Sequence, residues 1–275
     1  MYLPLGTFSP NIKIGLVSAS RDCFPRSLSE TRTNRLLESC KGLRVNVHRP
    51  EGDCAIIETR EHAREAAKQL RDAGCDAAVL YLGNFSPEIE DAFFVKEFGG
   101  NVMIIAAAEE SGSTLNEGRG DALCGMMSAI MAVRKRDLLS RVYIPERPVV
   151  NAEQGAASVA HFIRVMKVVK GTRNATIGLF GPRPRDFETC NYNIASVASI
   201  GVEVEELGHF DLSNEVERIK EEEDTSAIET SMNQEISNIP KDGFAKRLSS
   251  YEQALLNFRD TLKLSGMASQ CWTEQ

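Results

Sequence analysis

The chain has 275 residues, of which 42% are hydrophobic and 26% are charged, and its formal net charge is −7. Its basic residues are scattered and its apolar runs are far too short to span a bilayer, which argues against nucleic acid and membrane as partners. The seven cysteines have irregular spacing and the N-terminus lacks a basic region followed by an apolar one, so we expect a cytoplasmic protein with reduced thiols.

Short aliphatic runs alternate with amphipathic patterns in the first half of the chain. TREHAREAAKQLRDAG predicts a helix that Thr59 caps and Gly74 ends. SPEIEDAFFVKEFG predicts another, with Ser86 as its cap and Pro87 at its first position. The aliphatic runs end in small or polar residues, as buried parallel strands do. These predicted strands lie near residues 12–18, 43–48, 76–82 and 101–107.

The same alternation restarts after a bridging helix, NAEQGAASVAHFIRVMKVVKG, with strands predicted near 175–180 and 201–206. We therefore predict an α/β protein of two tandem, doubly wound, parallel-sheet domains of the Rossmann-like kind. The predicted domains are residues 1–150 and 151–275. The last long helix should lead back to a strand, where Met267, Cys271 and Trp272 indicate a buried element. We expect the second domain to be incomplete there and its apolar end to attract a partner.

Ligands of open α/β sheets bind at the carboxyl ends of the strands, so the loops after the strands are candidate sites. Arg21, after the first strand, suits a polar or anionic group, and pairing with Asp22 or Glu30 at the surface is an equal alternative. After the third strand, Asn84 could hydrogen-bond a polyol and Phe85 could cover it. The simpler interpretation of that segment is a helix entrance.

The loop after the fourth strand is polar and glycine-rich between two apolar elements, which is where function tends to lie. Glu109 and Glu110 begin it, and we expect these carboxylates to diverge because neighbouring residues of a strand point to opposite faces. Arg119 and Asp121 add charge. The alternative is a linker in which Asp121 caps the next helix.

In the second domain, Arg183, Arg185 and Asp186 follow a predicted strand. This loop lacks the P-loop pattern, and its arginines either recognise a polar ligand or are solvated on a proline-stiffened turn. The four histidines show no metal-ligand spacing and the chain has no GxSxG motif. The sequence therefore predicts no metal site built from this chain alone and no serine nucleophile elbow.

Five segments of the chain carry a resemblance to a known family: IGLVSASRDCFPRSL, DAAVLYLGNFSPE, AAAEESGSTLNEGRGDALCGMMSA, GLFGPRPRDF and ASQCW. In this order they resemble the L-fucose isomerase / L-arabinose isomerase superfamily, and most closely its L-fucose isomerase-like branch. The resemblance implies the N-terminal and middle domains of an isomerase that interconverts aldoses and ketoses through an enediol. It implies a monosaccharide substrate and a divalent metal, manganese, in the full-length protein. The family's metal ligands lie beyond a QCW-like segment, so we expect this chain alone to bind no metal and to be inactive.

The resemblance also implies which loops contact the sugar. Arg21 matches a polar position in a first loop that reaches the sugar in a neighbouring subunit's site, which implies a homo-oligomer with shared sites. Asn84 and Phe85 match a second loop at the same edge. A third loop holds the remaining candidates, Glu109, Arg119 and Asp121. An alternative, from another class of protein, is a two-domain cytoplasmic sugar-binding or regulatory protein that closes around its ligand without catalysis.

Overall fold

The computed structural model describes residues 10–110, 118–240 and 243–270. Two compact units are present: Pro10–Val168, and a second unit that begins at Val169. Helix α5 (Ala152–Thr172) contains the boundary between them. The predicted boundary at residue 150 lies just before this helix.

The first unit is built of strands and helices that alternate along the chain. Its strands are β1 (Ile14–Ala19), β2 (Val47–His48), β3 (Ile56–Ile57), β4 (Ala77–Leu82), β5 (Asn101–Ala107), β6 (Val142–Tyr143) and β7 (Val149–Val150). Its helices are α1 (Arg26–Gly42), α2 (Arg60–Asp72), α3 (Glu88–Phe98), α4 (Ala122–Arg134) and α5.

All strand pairs of the first sheet are parallel, in the order β2-β1-β4-β5-β6, with β3 also beside β1 and β7 also beside β5. If β2 with β3, and β6 with β7, are each taken as one interrupted strand, the order is 2-1-3-4-5. That is a doubly wound order, and its crevice lies where the winding reverses, between β1 and β4. Every residue of β1 and β4 is buried, as expected of a sheet covered by helices on both faces.

The second unit has a smaller parallel sheet in the order β10-β8-β9. Phe180, Leu212, Ile219 and Ala254 are at the centre of its core. The predicted return to a strand after the last long helix is confirmed by β10, where Met267 is 38% exposed; Cys271 and Trp272 lie outside the described residues. The elements are β8 (Thr176–Phe180), α6 (Ile194–Ser199), β9 (Glu203–Leu207), α7 (His209–Glu222), α8 (Ser226–Glu235), α9 (Phe244–Leu262) and β10 (Gly266–Ser269).

The fold-class prediction of two parallel-sheet α/β units is confirmed, and one predicted helix end is wrong. Thr59 caps α2 as predicted, accepting a hydrogen bond from the His62 N–H at 3.2 Å. Ser86 does not cap α3. Its hydroxyl donates instead to the carboxylate of Asp91. Asp91 is completely buried, and a buried carboxylate needs a hydrogen-bond donor from a neighbouring protein group.

Candidate functional site

The loops that follow β1 and β4 are bonded to each other at the point where the winding reverses. The backbone N–H of Arg21 donates to Asn84 Oδ1 at 3.1 Å. Asn84 Nδ2 donates to Ser20 Oγ at 2.9 Å and to the Pro25 carbonyl at 3.3 Å. Asn84 is fully buried, so in this structure its amide holds the two loops together and sets the position of Arg21.

The side chain of Arg21 lies on an aromatic platform. Its guanidinium carbon is 4.5 Å from the centroid of the Phe85 ring, a cation–π contact. Phe24 stacks on Phe85, with ring centroids 6.0 Å apart and planes 8° from parallel. Arg21 Nε and Nη2 also donate to the Ser86 carbonyl, at 3.3 and 3.1 Å. The guanidinium is thus fixed in place while the residue stays partly exposed.

An arginine that the sequence interpretation missed organises the loop after β5. Arg32, in α1, is 3% exposed, and its Nη2 contacts Glu109 Oε2 at 2.9 Å and Glu110 Oε2 at 2.5 Å. Its Nη1 donates to the Gly83 carbonyl at 2.8 Å. Burial lowers the pKa of Arg32, but the hydrogen bonds to Glu110 and Glu109 outweigh burial and raise it above its ordinary value.

The expectation that Glu109 and Glu110 diverge is therefore wrong. Strand β5 ends at Ala107, so both carboxylates belong to the loop, where the strand's alternation no longer applies. The hydrogen bond from Arg32 is the main reason why the pKa of Glu110 lies below its usual range.

Gly120 joins this third loop to the second. Its N–H donates to both carboxylate oxygens of Glu109 at 3.1 Å, and its carbonyl accepts the Phe85 N–H at 2.5 Å. A Cβ at this position would lie 2.6 Å from Arg32 Nη1 and 3.1 Å from Asn84 Cβ. A larger residue would therefore have to displace the buried Arg32 guanidinium and shift Asn84.

Arg119 and Asp121 form an ion pair at 2.5 Å beside this junction, with Arg119 exposed. The alternative in which Asp121 caps α4 is not supported, because among the described residues its side chain makes no capping hydrogen bond and its φ of 49° is left-handed. The carboxylate pairs with Arg119 instead. Residues 111–117 of the same loop, including Gly112, lie outside the described residues.

The structure thus brings Arg21, Asn84, Phe85 and Glu109 to one edge of the first sheet, the first three in direct contact and Glu109 joined to them through Gly120. An open cleft of about 620 Å³ adjoins Arg21. Its ionised groups and backbone dipoles can hydrogen-bond hydroxyl groups, and Pro87 and Ile89 offer apolar surface beside them. The cleft is lined by Arg21, Asp22, Glu58, Thr59, Pro87, Glu88, Ile89 and Glu90.

The second unit has its own cavity, of about 700 Å³, at the carboxyl ends of β8, β9 and β10. Of the predicted loop residues, Arg183 lines it, and its Nη1 donates to the Arg185 carbonyl at 3.1 Å and to the Pro184 carbonyl at 3.4 Å. Arg185 and Asp186 are in the same loop but are not among its lining residues. The loop is thus held by its own arginine.

The family model for the N-terminal domain of fucose/sulfoquinovose isomerases matches residues 15–173. The chain belongs to this family. A search of curated proteins found no match to the sequence. The matched range begins inside β1 and ends just after α5, so it covers the first unit and its polar edge. The family's description names isomerases of two sugars, which places this domain among sugar isomerases.

The metal that the fucose isomerase resemblance implies would need oxygen, nitrogen or sulfur ligands from several side chains. Within residues 10–110, 118–240 and 243–270, His, Cys, Asp and Glu side chains form no group of three or more that could hold a metal ion. The carboxylates at the edge, Glu109 and Glu110, are instead taken up by Arg32. The described residues therefore do not fit such a metal. Also within them, no helix is both long and apolar enough to cross a membrane.

Proposed function

We propose that this chain supplies the sugar-binding edge of a ketol isomerase that acts on a deoxy sugar, a pentose or a related monosaccharide. The observation that carries the proposal is the family match over residues 15–173. The matched residues form a doubly wound unit. At the edge where its winding reverses, Arg21 lies on the Phe85 ring beside an open cleft. This is where sheets of that kind bind ligands.

The residues at this edge have different roles in binding the sugar. Arg21, the Glu109 carboxylate and exposed Arg119 offer hydrogen-bonding groups for sugar hydroxyls. Half-buried Phe85 contributes by holding the Arg21 guanidinium against its ring. Pro87 and Ile89, which line the cleft, offer apolar surface for the C–H side or the methyl group of a deoxy sugar. Buried Asn84 contributes by holding Arg21 in place.

Aldose–ketose interconversion moves a proton between adjacent carbons through an enediol, and a divalent metal, proposed to be manganese, would polarise the sugar oxygens. We assign the metal ligands and the proton-transferring base to groups other than the described residues. The part played by this chain is then to bind the sugar and orient it. We also propose, from the resemblance, a cytoplasmic homo-oligomer in which the Arg21 edge serves a neighbouring subunit's site.

The resemblance leads us to propose that this chain is part of a longer protein, the product of the whole gene. The test is an isomerase assay of the 275-residue protein and of that whole product, with manganese added to both. The substrates are L-fucose, sulfoquinovose, L-arabinose, D-arabinose and L-rhamnose. We expect ketose formation by the whole product and none by the 275-residue protein. Comparable turnover by both would show that a complete metal site exists within this chain.

The role of the edge is tested in the active protein by Arg21→Ala. Loss of a charged hydrogen-bonding group should raise the Michaelis constant about tenfold, with a smaller effect on kcat. Lys41→Ala, which removes a cation at the end of α1 on the opposite edge, is the control. Unchanged kinetics for Arg21→Ala would contradict the role of this edge. Sugar binding without turnover by the whole product would favour the non-catalytic sugar-binding protein.

A further inference from the structure

Asp91, in the first turn of α3, is a completely buried carboxyl group to which the proposed function gives no part. Its Oδ2 accepts a hydrogen bond from the Ser86 hydroxyl. Its Oδ1 is also buried and has no hydrogen-bond partner among the described residues. An ionised carboxylate is costly to bury unless its oxygens are paired or hydrogen-bonded. The contacts of Asp91 therefore suit the protonated carboxyl group.

Ser86 connects this carboxyl group to Arg21. Ser86 is itself fully buried. Its hydroxyl contacts Asp91, and its carbonyl accepts from Nε and Nη2 of Arg21 at 3.3 and 3.1 Å. A single residue thus bonds to the buried carboxyl group through its side chain and to the guanidinium beside the cleft through its backbone.

Helix α4 packs directly against the turn that contains Ser86. A Cβ on Gly125 would lie 2.8 Å from the Ser86 backbone nitrogen and 2.9 Å from Phe85 Cα. The backbone of this turn therefore has little room to shift in a closely packed interior. When the charge of Asp91 changes, the adjustment falls on side chains, and the Arg21 guanidinium beside the open cleft has room to move.

Burial raises the pKa of Asp91 to about 7, although the Ser86 hydrogen bond and the charge of Arg21 lower it. Glu90 and Glu88, on the same helix, raise it further. Both protonation states are therefore populated near neutral pH, and Arg21 favours the ionised one. Other charged groups on the elements around α3 have contacts or places of their own: Arg60 and Arg64 of α2 lie over the Phe93 ring, Glu58 before α2 pairs with Arg26, Asp121 before α4 pairs with Arg119, and Lys135 and Arg136 follow the end of α4.

We propose that Asp91 is a positioning residue for the sugar that acts through Ser86 on Arg21. Its protonated form leaves the guanidinium on the Phe85 ring beside the cleft. Its ionised form, having released its proton to solvent, needs a donor for Oδ1 and draws the N–H groups of the guanidinium inward, away from the sugar. Sugar affinity therefore falls as pH rises through neutrality. This inference rests on the function proposed for the edge.

The kinetic test measures the Michaelis constant of the whole product, for the sugar that it converts, between about pH 6 and about pH 8. We expect the constant to rise by up to about tenfold, the effect expected of Arg21→Ala, with a smaller change in kcat. Asp91→Asn cannot ionise and should keep the low value throughout. Ser86→Ala removes a hydrogen bond that lowers the pKa of Asp91, so the rise should move to higher pH. Asp72→Asn is the matched control, because the Asp72 side chain is 62% exposed at the end of α2, and it should behave as the parent protein does.

A second measurement is independent of isomerase activity. NMR spectroscopy of the 275-residue protein follows the Nε–Hε signal of Arg21, which Arg21→Lys identifies by its loss. We expect this signal to shift as pH rises through about 7 in the parent protein and to stay in place in Asp91→Asn. A signal that ignores pH, or that moves alike in both proteins, would overturn the proposal.

The two measurements together separate this inference from the proposed function. An Arg21 signal that titrates, beside a Michaelis constant that does not change with pH, would overturn the effect of Asp91 on the sugar. A whole product without isomerase activity would refute the proposed function instead, and the NMR titration would then decide by itself whether Asp91 positions Arg21.

Discussion

Replacing Arg32 with methionine should destabilise the first unit more than any other charge removal at the polar edge. The guanidinium is 3% exposed and reaches loops that follow two different strands. Methionine keeps much of the aliphatic length of arginine but donates no hydrogen bond. The change therefore removes the polar contacts while leaving the α1 packing largely in place.

The size of the effect follows from what is left without a donor. The Gly83 carbonyl is in a buried residue, and an unsatisfied buried acceptor costs about 1–3 kcal/mol. Glu109 and Glu110 have side chains that are 34% and 46% exposed, so water can replace Arg32 and each lost pair costs at most about 1 kcal/mol. Removing a buried charge offsets part of this loss. We expect the free energy of unfolding to fall by about 2–3 kcal/mol, which is about 5–10 °C in Tm for a unit of this size.

The measurement is thermal unfolding followed by circular dichroism, with hydrogen exchange of the β4 and β5 peptides to assign the change to the first unit. Exchange is needed because two compact units need not unfold together. Arg35→Met is the matched control, since Arg35 is 60% exposed and its nearest Glu110 oxygen is 3.5 Å away. It should cost less than about 0.5 kcal/mol. Equal melting of the Arg32 and Arg35 variants would refute the reasoning.

Three further predictions concern the same unit. Burial raises the pKa of Asp91 to about 7, so its protonated form stabilises the fold below the unfolded pKa, and this contribution is lost as pH rises through about 7. Asp91→Asn should therefore raise Tm at about pH 8 and change it little at about pH 5. Equal effects on Tm at both pH values would contradict this. Gly120→Ala should lower the free energy of unfolding by about 1–3 kcal/mol because its Cβ would press on Arg32 and Asn84. Gly42→Ala is the control and should not lower it, because a Cβ there meets nothing within 4 Å. Similar melting temperatures for the two variants would count against close packing at Gly120. Because the pKa of Glu110 is depressed, its contribution to the free energy of unfolding is present above the unfolded pKa and is lost as pH falls through the folded pKa. Glu110→Gln should therefore flatten the acid limb of the plot of Tm against pH, by an amount equivalent to less than about 1 kcal/mol. An acid limb identical to that of the parent protein would show that Glu110 makes no such contribution.

The sequence by itself determined the architecture and the edge at which to look. The runs that became β1, β4 and β5 are continuous aliphatic stretches, because a parallel sheet covered on both faces buries every residue. Parallel strands also place their carboxyl ends together, so Arg21, Asn84 and Glu109 could be assigned to one edge in advance. The two-residue strands, such as β3 and β6, were beyond prediction, since two residues show no periodicity.

Only the tertiary structure decided what those edge residues do. Arg32 is a charged residue within a helical pattern, and nothing local distinguishes it from a solvated side chain. Its acceptors Glu109 and Glu110 are 77 and 78 residues further along the chain, and they meet it only when α1 docks on the sheet beside the β5 loop. Asn84 is likewise fully buried, and it links two loops because its hydrogen-bond partners come from the loop after β1. Residue type sets which hydrogen bonds a side chain can make, but long-range packing sets which partners reach it and whether water is excluded.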